Sequence, residues 1–299
     1  MGSKILSKIF LIEQNIRFEK HNRKIISPQE LDFYLLDYKV AIEVNDFLTH
    51  NTFNNSYSER HKPLDYHYNK TKACEKLGIR LIHAYEDDLT EPRRWEIMKN
   101  IILNSCGKSS KLFARKLSIQ FSETNKYRDF FDNNSLRGYQ DGDLIEALID
   151  EKTKIPYLAF CLEILYKNNE EVDLGVKSCC HLCNYTVIGG LSKLIYHLFN
   201  SNDLQKYLNK KDLKVNNIYF RVDESLFLYH NKTNYKIDFL EHYPEIWKFY
   251  YRESRRNCIN SMGELENFVN DQIDATGYKP LIVSTSGYST FCIHNKNLL

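Results

Sequence analysis

Two short apolar segments of this chain each contain an isolated carboxylate, which restricts how the chain can fold. Residues 31–36 contain Asp32, and residues 39–45 contain Glu43. The β-branched and aromatic residues around both acids predict two buried strands, and Asp37-Tyr38 predicts a tight turn that joins them into a hairpin. Because an ionised carboxylate is costly to bury alone, each acid needs a cation, hydrogen bonds or a proton.

A metal ion is the compensating partner that the spacing favours. Glu43 and Asn45 are two residues apart and therefore point to the same face of the second strand, which Asp32 approaches from the first strand. Two carboxylates and an amide then converge. Hard oxygen ligands of this kind suit Mg²⁺ or Mn²⁺, so we predict Asp32 and Glu43 as metal ligands.

The same residues carry a resemblance to a known family. Asp32, ten intervening residues and Glu43-Val44-Asn45 look like the PD-(D/E)xK nuclease motif, with Asn in place of the usual Lys. Together with His50 and segments 66–71 and 77–86, this block resembles the very-short-patch-repair-like nuclease domain carried by phage and mobile-element homing endonucleases. The resemblance covers roughly residues 1–105. It implies a restriction-endonuclease-like mixed sheet flanked by helices, with the residues around Asn45 and His50 completing a site for cleaving DNA.

These residues predict a metal-dependent DNA endonuclease that either nicks or cuts both strands. We expect His50 to act as general base for the attacking water or as proton donor to the leaving oxygen, since an ordinary histidine pKa of about 6.5 suits both. Asn45 would orient water or phosphate.

A second interpretation keeps the fold without the activity. The family usually has Gly where this chain has Asp46, Trp where it has Thr49, and an acid in the first helix where residues 3–6 have none. These departures favour a catalytically inactive DNA-binding or host-takeover protein.

The order of predicted elements gives an α/β protein of two domains. A helix at 4–14, an edge strand at 16–25, the hairpin, a helix at 65–78, a strand at 79–85 and a helix at 92–106 form the nuclease domain, residues 1–106. Residues 107–128 are predicted as a basic linker, and residues 129–299 as a C-terminal α+β domain.

Double-stranded DNA is the predicted partner. The net charge of +2 does not exclude nucleic acid, because binding depends on local basic patches. Three groups of side chains are predicted to contact DNA. They are His67 and Lys70 on one helical face, Lys111, Arg115 and Lys116 in the basic segment, and Arg252, Arg255 and Arg256 beside aromatic residues.

The C-terminal region carries a further alternative. A predicted strand at 186–188 leads into Gly189-Gly190 and a helix, an arrangement whose backbone N–H groups can bind an anion. The region resembles an acetyltransferase-type fold, in which this loop would bind phosphate, although the longer glycine-rich pattern is missing. The resemblance therefore leaves open a degenerate scaffold or an acyltransferase.

The sequence contains no apolar stretch of the ~20 residues that a membrane helix needs. Eight scattered cysteines, without an export signal at the N-terminus, predict reduced thiols and a cytoplasmic protein.

Overall fold

The computed structural model describes residues 2–47, 50, 62–166, 168, 170–210, 212–223, 237–243, 246–249, 257–259, 267, 281–284 and 288–295. The chain divides near Met98 into two compact units. The first is built mainly from residues 1–98 and the second mainly from residues 99–222, and later segments return to each.

The helices and strands follow in chain order. The helices are α1 (Gly2–Glu13), α2 (Tyr66–Lys76), α3 (Glu86–Thr90), α4 (Pro92–Ser105), α5 (Arg128–Asn134), α6 (Gly190–Asn200) and α7 (Asp203–Tyr207). The strands of the first sheet are β1 (Phe18–Asn22), β2 (Leu31–Leu35), β3 (Val40–Asn45) and β4 (Arg80–Tyr85). The later strands are β5 (Ser110–Phe113), β6 (Ser118–Ser122), β7 (Leu144–Ile149), β8 (Pro156–Tyr166), β9 (Glu171–His181), β10 (Tyr185–Ile188), β11 (Lys214–Asp223), β12 (Ile237–Tyr243), β13 (Ile246–Phe249), β14 (Asn257–Ile259), β15 (Leu281–Ser284) and β16 (Tyr288–His294).

The first unit contains a mixed four-stranded sheet with strand order β1-β2-β3-β4. The first three strands are antiparallel, and β4 pairs with β3 in parallel. A parallel pair needs a crossover, and α2 provides it. Gly78, just after α2, has a φ of +67°, the left-handed conformation that glycine adopts at helix ends. The predicted hairpin, the edge strand and the helix at 65–78 are confirmed.

The side chains along each strand of this sheet point alternately to its two faces. Ala41 of β3 and Leu81 of β4 pack against Cys74 of α2 in one apolar cluster. Because side chains of a strand alternate, Glu43 lies on the same face of β3 as Ala41. The covering helix therefore meets the carboxylate of Glu43 directly.

The second unit contains a seven-stranded sheet with strand order β12-β16-β11-β9-β8-β7-β6. All of the described pairs from β6 to β9 are antiparallel, whereas β11 pairs with β9 in parallel. Apolar side chains of α6, including Leu194 and Leu198, pack on the fully buried Leu158 and Phe160 of β8. The fold class is α/β with mixed sheets flanked by helices, as the sequence predicted.

The predicted linker at residues 107–128 is wrong. Residues 110–113 form β5, which pairs in parallel with β10, and residues 118–122 form β6, which pairs with β7. Basic composition gave no sign of these partners, because β5 and β10 lie far apart in the sequence. Residues 129–299 are also not a single domain, since β13, β14 and β15 belong to the first unit.

No helix within the described parts of the chain combines the length and the apolar character needed to cross a bilayer.

Candidate active site

Asp32 and Glu43 lie opposite each other on β2 and β3. The register pairs Phe33 with Ile42, so its continuation places the two acids side by side on one face of the sheet. The Asp32 backbone N–H lies 3.5 Å from Oε2 of Glu43, and Val44 N–H donates to Oδ2 of Asp32 at 2.9 Å. Both residues are 5% exposed. The two acids come together as the spacing of their strands predicted, while their role as metal ligands stays a prediction.

Each carboxylate is paired with a lysine. Lys4 of α1 donates to Oδ1 of Asp32, and Lys70 of α2 donates to Oε1 of Glu43. Lys4 is half-exposed, whereas Lys70 is fully buried. Lys70 therefore brings an ammonium group to Glu43 from α2, a different element from the strand that carries the acid.

Burial dominates the acid–base behaviour of Glu43. It raises the pKa of Glu43 from its ordinary value to about 7. The ammonium of Lys70 opposes this rise, and the negative charge of Asp32 adds to it. Glu43 therefore takes up or releases its proton near neutral pH.

Helix α2 covers the site with a buried polar stripe. His67, Lys70, Thr71 and Cys74 are its buried residues, at the i, i+3, i+4 and i+7 spacing of one helical face. The sequence correctly placed His67 and Lys70 on one face, but it predicted that this face would contact DNA phosphates. That prediction took the wrong side of the helix, because the stripe packs onto β3 and β4.

His50 is held by a second histidine. Its Nδ1 lies 3.3 Å from Nε2 of His67, and the two rings are stacked with centroids 5.0 Å apart. Burial lowers the pKa of His50 to about 4, so the side chain is neutral at pH 7. The sequence-based expectation of an ordinary pKa is corrected. A neutral imidazole can accept a proton, as a general base must. It cannot act as an imidazolium donor, which has to be protonated before the reaction.

Asn45 belongs to a chain of buried hydrogen bonds that sequence reasoning missed. Asn45 Nδ2 lies 3.1 Å from Nδ1 of His83, and Nε2 of His83 lies 2.9 Å from Oγ1 of Thr71. The Thr71 hydroxyl donates to the backbone carbonyl of His67 at 2.9 Å. Burial also lowers the pKa of both histidines well below the ordinary value. A histidine within the apolar strand β4, paired in register with Glu43, was the signal available in the sequence.

Two polar atoms in this region remain without a hydrogen-bond partner among the residues that the structure describes. They are Oδ1 of Asn45 and Nδ1 of His67, and both residues are fully buried. Buried polar atoms in native proteins are normally paired, so an unpaired one marks a place where a ligand, an ion or water is expected.

A neighbouring group of side chains also has the geometry for a cation. Ligand atoms of His21, Glu30 and Asp32 all lie within 4.8 Å of one another, and this group was not predicted from the sequence. Nδ1 of His21 lies 2.6 Å from Oε1 of Glu30, while Arg23 donates to Oε2 of Glu30 at 2.7 Å. Asp32 is therefore shared between this group and the pair that it forms with Glu43.

The remaining predicted DNA contacts lie elsewhere. Lys111, Arg115 and Lys116 are exposed in the second unit, and the Arg115 guanidinium lies 5.2 Å from the ring centroid of Phe113. Their contact with DNA stays a prediction. Arg252, Arg255 and Arg256 lie outside the described residues.

Comparisons with known proteins give a structural similarity to part of this chain. No protein-family model matches the sequence, and no curated protein matches it. The catalytic domain of the homing endonuclease I-Bth0305I is a solved structure similar to part of this chain, with 20% sequence identity and a TM-score of 0.27. The match covers 34% of this chain and 91% of that domain.

Proposed function

We propose that the chain is a metal-dependent DNA endonuclease of the phage or mobile-element type, with its site on β2 and β3 of the first unit. The observation that supports this most directly is the meeting of Asp32 and Glu43 on one buried face. An unpaired amide oxygen on that face, Oδ1 of Asn45, adds a third hard oxygen. Carboxylate and amide oxygens form the donor set that Mg²⁺ and Mn²⁺ prefer, so the residues present fit such an ion.

Asp32 and Glu43 would hold the ion. When bound, a divalent ion of this kind neutralises charge on the scissile phosphate and lowers the pKa of water. His50 would accept a proton through its Nε2 atom in the tautomer whose Nδ1–H donates to Nε2 of His67. Lys70 favours the ionised form of Glu43, which is the form that binds a cation.

Plasmid cleavage tests this function. We expect the parent protein to nick or cut supercoiled plasmid with Mg²⁺ or Mn²⁺, and chelation by EDTA to stop it. Asp32→Ala and Glu43→Gln should lose at least ~100-fold in rate, since each removes a ligand. Glu75→Gln is the matched control for Glu43→Gln, because it makes the same change at an exposed position of α2. Equal cleavage by the parent and Asp32→Ala would show that the site is wrongly placed.

The two lysines favour a second candidate, a DNA-binding protein without nuclease activity. Lys4 and Lys70 already neutralise Asp32 and Glu43, as a structural ion-pair network would. Calorimetry separates the candidates. An active site should bind Mn²⁺ with an affinity that Glu43→Gln reduces, whereas a purely structural network should bind none. Mn²⁺ binding that is lost in Glu30→Gln and kept in Glu43→Gln would place the ion in the group formed by His21, Glu30 and Asp32.

A third candidate, an acyltransferase, has a separate observation in its favour. Gly189, with a φ of +75°, precedes the N-terminus of α6, where an open cleft of about 550 Å³ is lined by Phe113, Ala114, Arg115, Ile188, Gly189 and Lys193. A cleft at a helix N-terminus suits a phosphate-containing ligand. Acetyl-CoA should then raise the melting temperature of the second unit, and no shift at millimolar concentration would remove this candidate.

A further inference from the structure

The directions of three hydrogen bonds beside Asn45 can be deduced from one carbonyl group. The backbone carbonyl of His67 can only accept, so the single hydroxyl proton of Thr71 is donated to it. The Thr71 oxygen must then accept from Nε2–H of His83. In a neutral imidazole the other nitrogen carries a lone pair, so Nδ1 of His83 accepts from the Nδ2 group of Asn45.

This chain fixes which end of the Asn45 amide faces His83. If the amide were reversed, Oδ1 would face a protonated Nδ1 of His83, and Nε2 would then need the Thr71 proton that the His67 carbonyl already receives. The reversed orientation therefore breaks one hydrogen bond of the chain. The nitrogen end of Asn45 is held against His83, and the oxygen end is left without a partner among the described residues.

We propose that Oδ1 of Asn45 is a third oxygen ligand for the divalent ion, and that His83 and Thr71 are positioning residues that orient it. The inference rests on the proposed nuclease function and adds to it a ligand and two supporting residues. Asn45 lies on the same face of β3 as Glu43, two residues away, and oxygen ligands of one octahedral ion lie roughly 3 Å apart. Both side chains are long enough to reach a common ion.

The burial of Asn45 restricts what can pair with its Oδ1 atom. Asn45 is fully buried, so a fixed acceptor at Oδ1 cannot be satisfied by bulk solvent. A bound cation satisfies it. The supporting chain resembles the outer hydrogen bonds that orient ligands in metal sites, where replacing a supporting residue weakens metal affinity by about 10- to 100-fold.

Thr71 offers a matched pair of variants to test the proposal, because it touches neither the predicted ion nor DNA. Thr71→Val keeps the shape and removes the hydroxyl, whereas Thr71→Ser keeps the hydroxyl. We expect Mn²⁺ affinity, measured by calorimetry on the full chain, to fall at least ~10-fold in Thr71→Val and to stay within ~2-fold of the parent in Thr71→Ser. Urea unfolding followed by tryptophan fluorescence confirms that each variant is folded.

A double-mutant cycle separates positioning from general damage. Asn45→Ala should weaken Mn²⁺ binding directly, and adding Thr71→Val to it should weaken binding no further, because Thr71 acts through Asn45. Additive losses would overturn the positioning role. A Thr71→Val variant that binds as tightly as the parent would also overturn the positioning role, and an Asn45→Ala variant that binds as tightly as the parent would overturn the ligand assignment.

The protonation of His83 gives a test that needs neither metal nor activity. In protein labelled with ¹⁵N-histidine, long-range ¹H–¹⁵N correlation distinguishes a protonated ring nitrogen from one with a lone pair. We expect the proton of His83 on Nε2, and a proton on Nδ1 would overturn the deduced orientation of Asn45. A parent protein that binds no Mn²⁺ would instead reject the proposed metal-dependent function. Mn²⁺ binding that Glu43→Gln weakens, and that Asn45→Ala and Thr71→Val leave unchanged, would reject only the inference about Asn45.

Discussion

Replacing Lys70 with methionine should destabilise the first unit by an amount that depends on pH. The substitution removes the ammonium that pairs with Glu43 and leaves a carboxylate buried beneath α2. In the parent protein Glu43 is ionised above a pKa of about 7 and takes up a proton below it. Without Lys70 the pKa rises further, because the ammonium is the largest effect that lowers it. Folding of the variant then requires that Glu43 binds a proton.

The magnitude follows from proton linkage. Below about pH 7 both proteins fold with Glu43 protonated, so the difference in unfolding free energy between them should stay constant. Above pH 7 only the variant retains the extra proton, and each further pH unit costs it ~1.4 kcal/mol. The added destabilisation therefore reaches roughly 3 kcal/mol at pH 9, close to the cost of breaking a buried ion pair. The sign is fixed, because a native state that binds more protons than the unfolded state loses stability as pH rises.

Urea unfolding at several pH values measures the difference in unfolding free energy between the parent and the Lys70→Met variant. Trp95 of α4 belongs to the first unit and packs edge-on against Phe10, with ring centroids 5.4 Å apart, so its fluorescence reports the unfolding of that unit. The control is the double variant Lys70→Met with Glu43→Gln, which has no buried carboxylate at this position and should lose the pH dependence. A destabilisation by Lys70→Met that is the same at pH 6 and pH 9 would refute the reasoning.

Three further predictions concern the second unit. Burial raises the pKa of Glu146 to about 7, with the hydrogen bond to His197 opposing the rise, so stability should fall as pH increases from about 4.5 to about 7. Glu146→Gln should flatten that dependence in hydrogen exchange of β7. Phe160→Ala should cost ~3–5 kcal/mol in denaturant unfolding followed by far-ultraviolet circular dichroism, because the side chain is fully buried. A loss below ~1 kcal/mol would contradict the packing. Replacing Lys111, Arg115 and Lys116 together with alanine should make the slope of log affinity for DNA against log salt concentration shallower, by an amount that corresponds to up to ~3 phosphate contacts. Fluorescence anisotropy measures this slope. An unchanged slope would remove this surface as a DNA contact.

Local patterns were sufficient to predict the β2–β3 hairpin and α2 of the first unit from the sequence. Alternating apolar residues placed β2 and β3, and their short connection fixed the register that brings Asp32 beside Glu43. The left-handed residue at Gly78 marked the end of α2. Each of these signals comes from residues close together in the chain.

The parts that the sequence did not predict depend on distant residues. The face of α2 that carries His67 and Lys70 could be buried or exposed, and only packing onto β3 and β4 decides between them. Lys4 reaches Asp32 from α1, and no local pattern connects them. The role of His83 likewise depends on its register opposite Glu43 in a parallel strand pair.

The late strands of the chain have a consequence for expressing fragments of this protein. β13, β14 and β15 belong to the first unit, and β16 lies inside the second sheet, between β11 and β12. A fragment ending near residue 106 would therefore lack three strands of its own unit. A fragment ending before β16 would leave β11 with an open edge and β12 without its neighbour, so such truncations should aggregate. During synthesis the first unit cannot finish folding until β15 has been translated, and the second unit cannot finish until β16 has been translated.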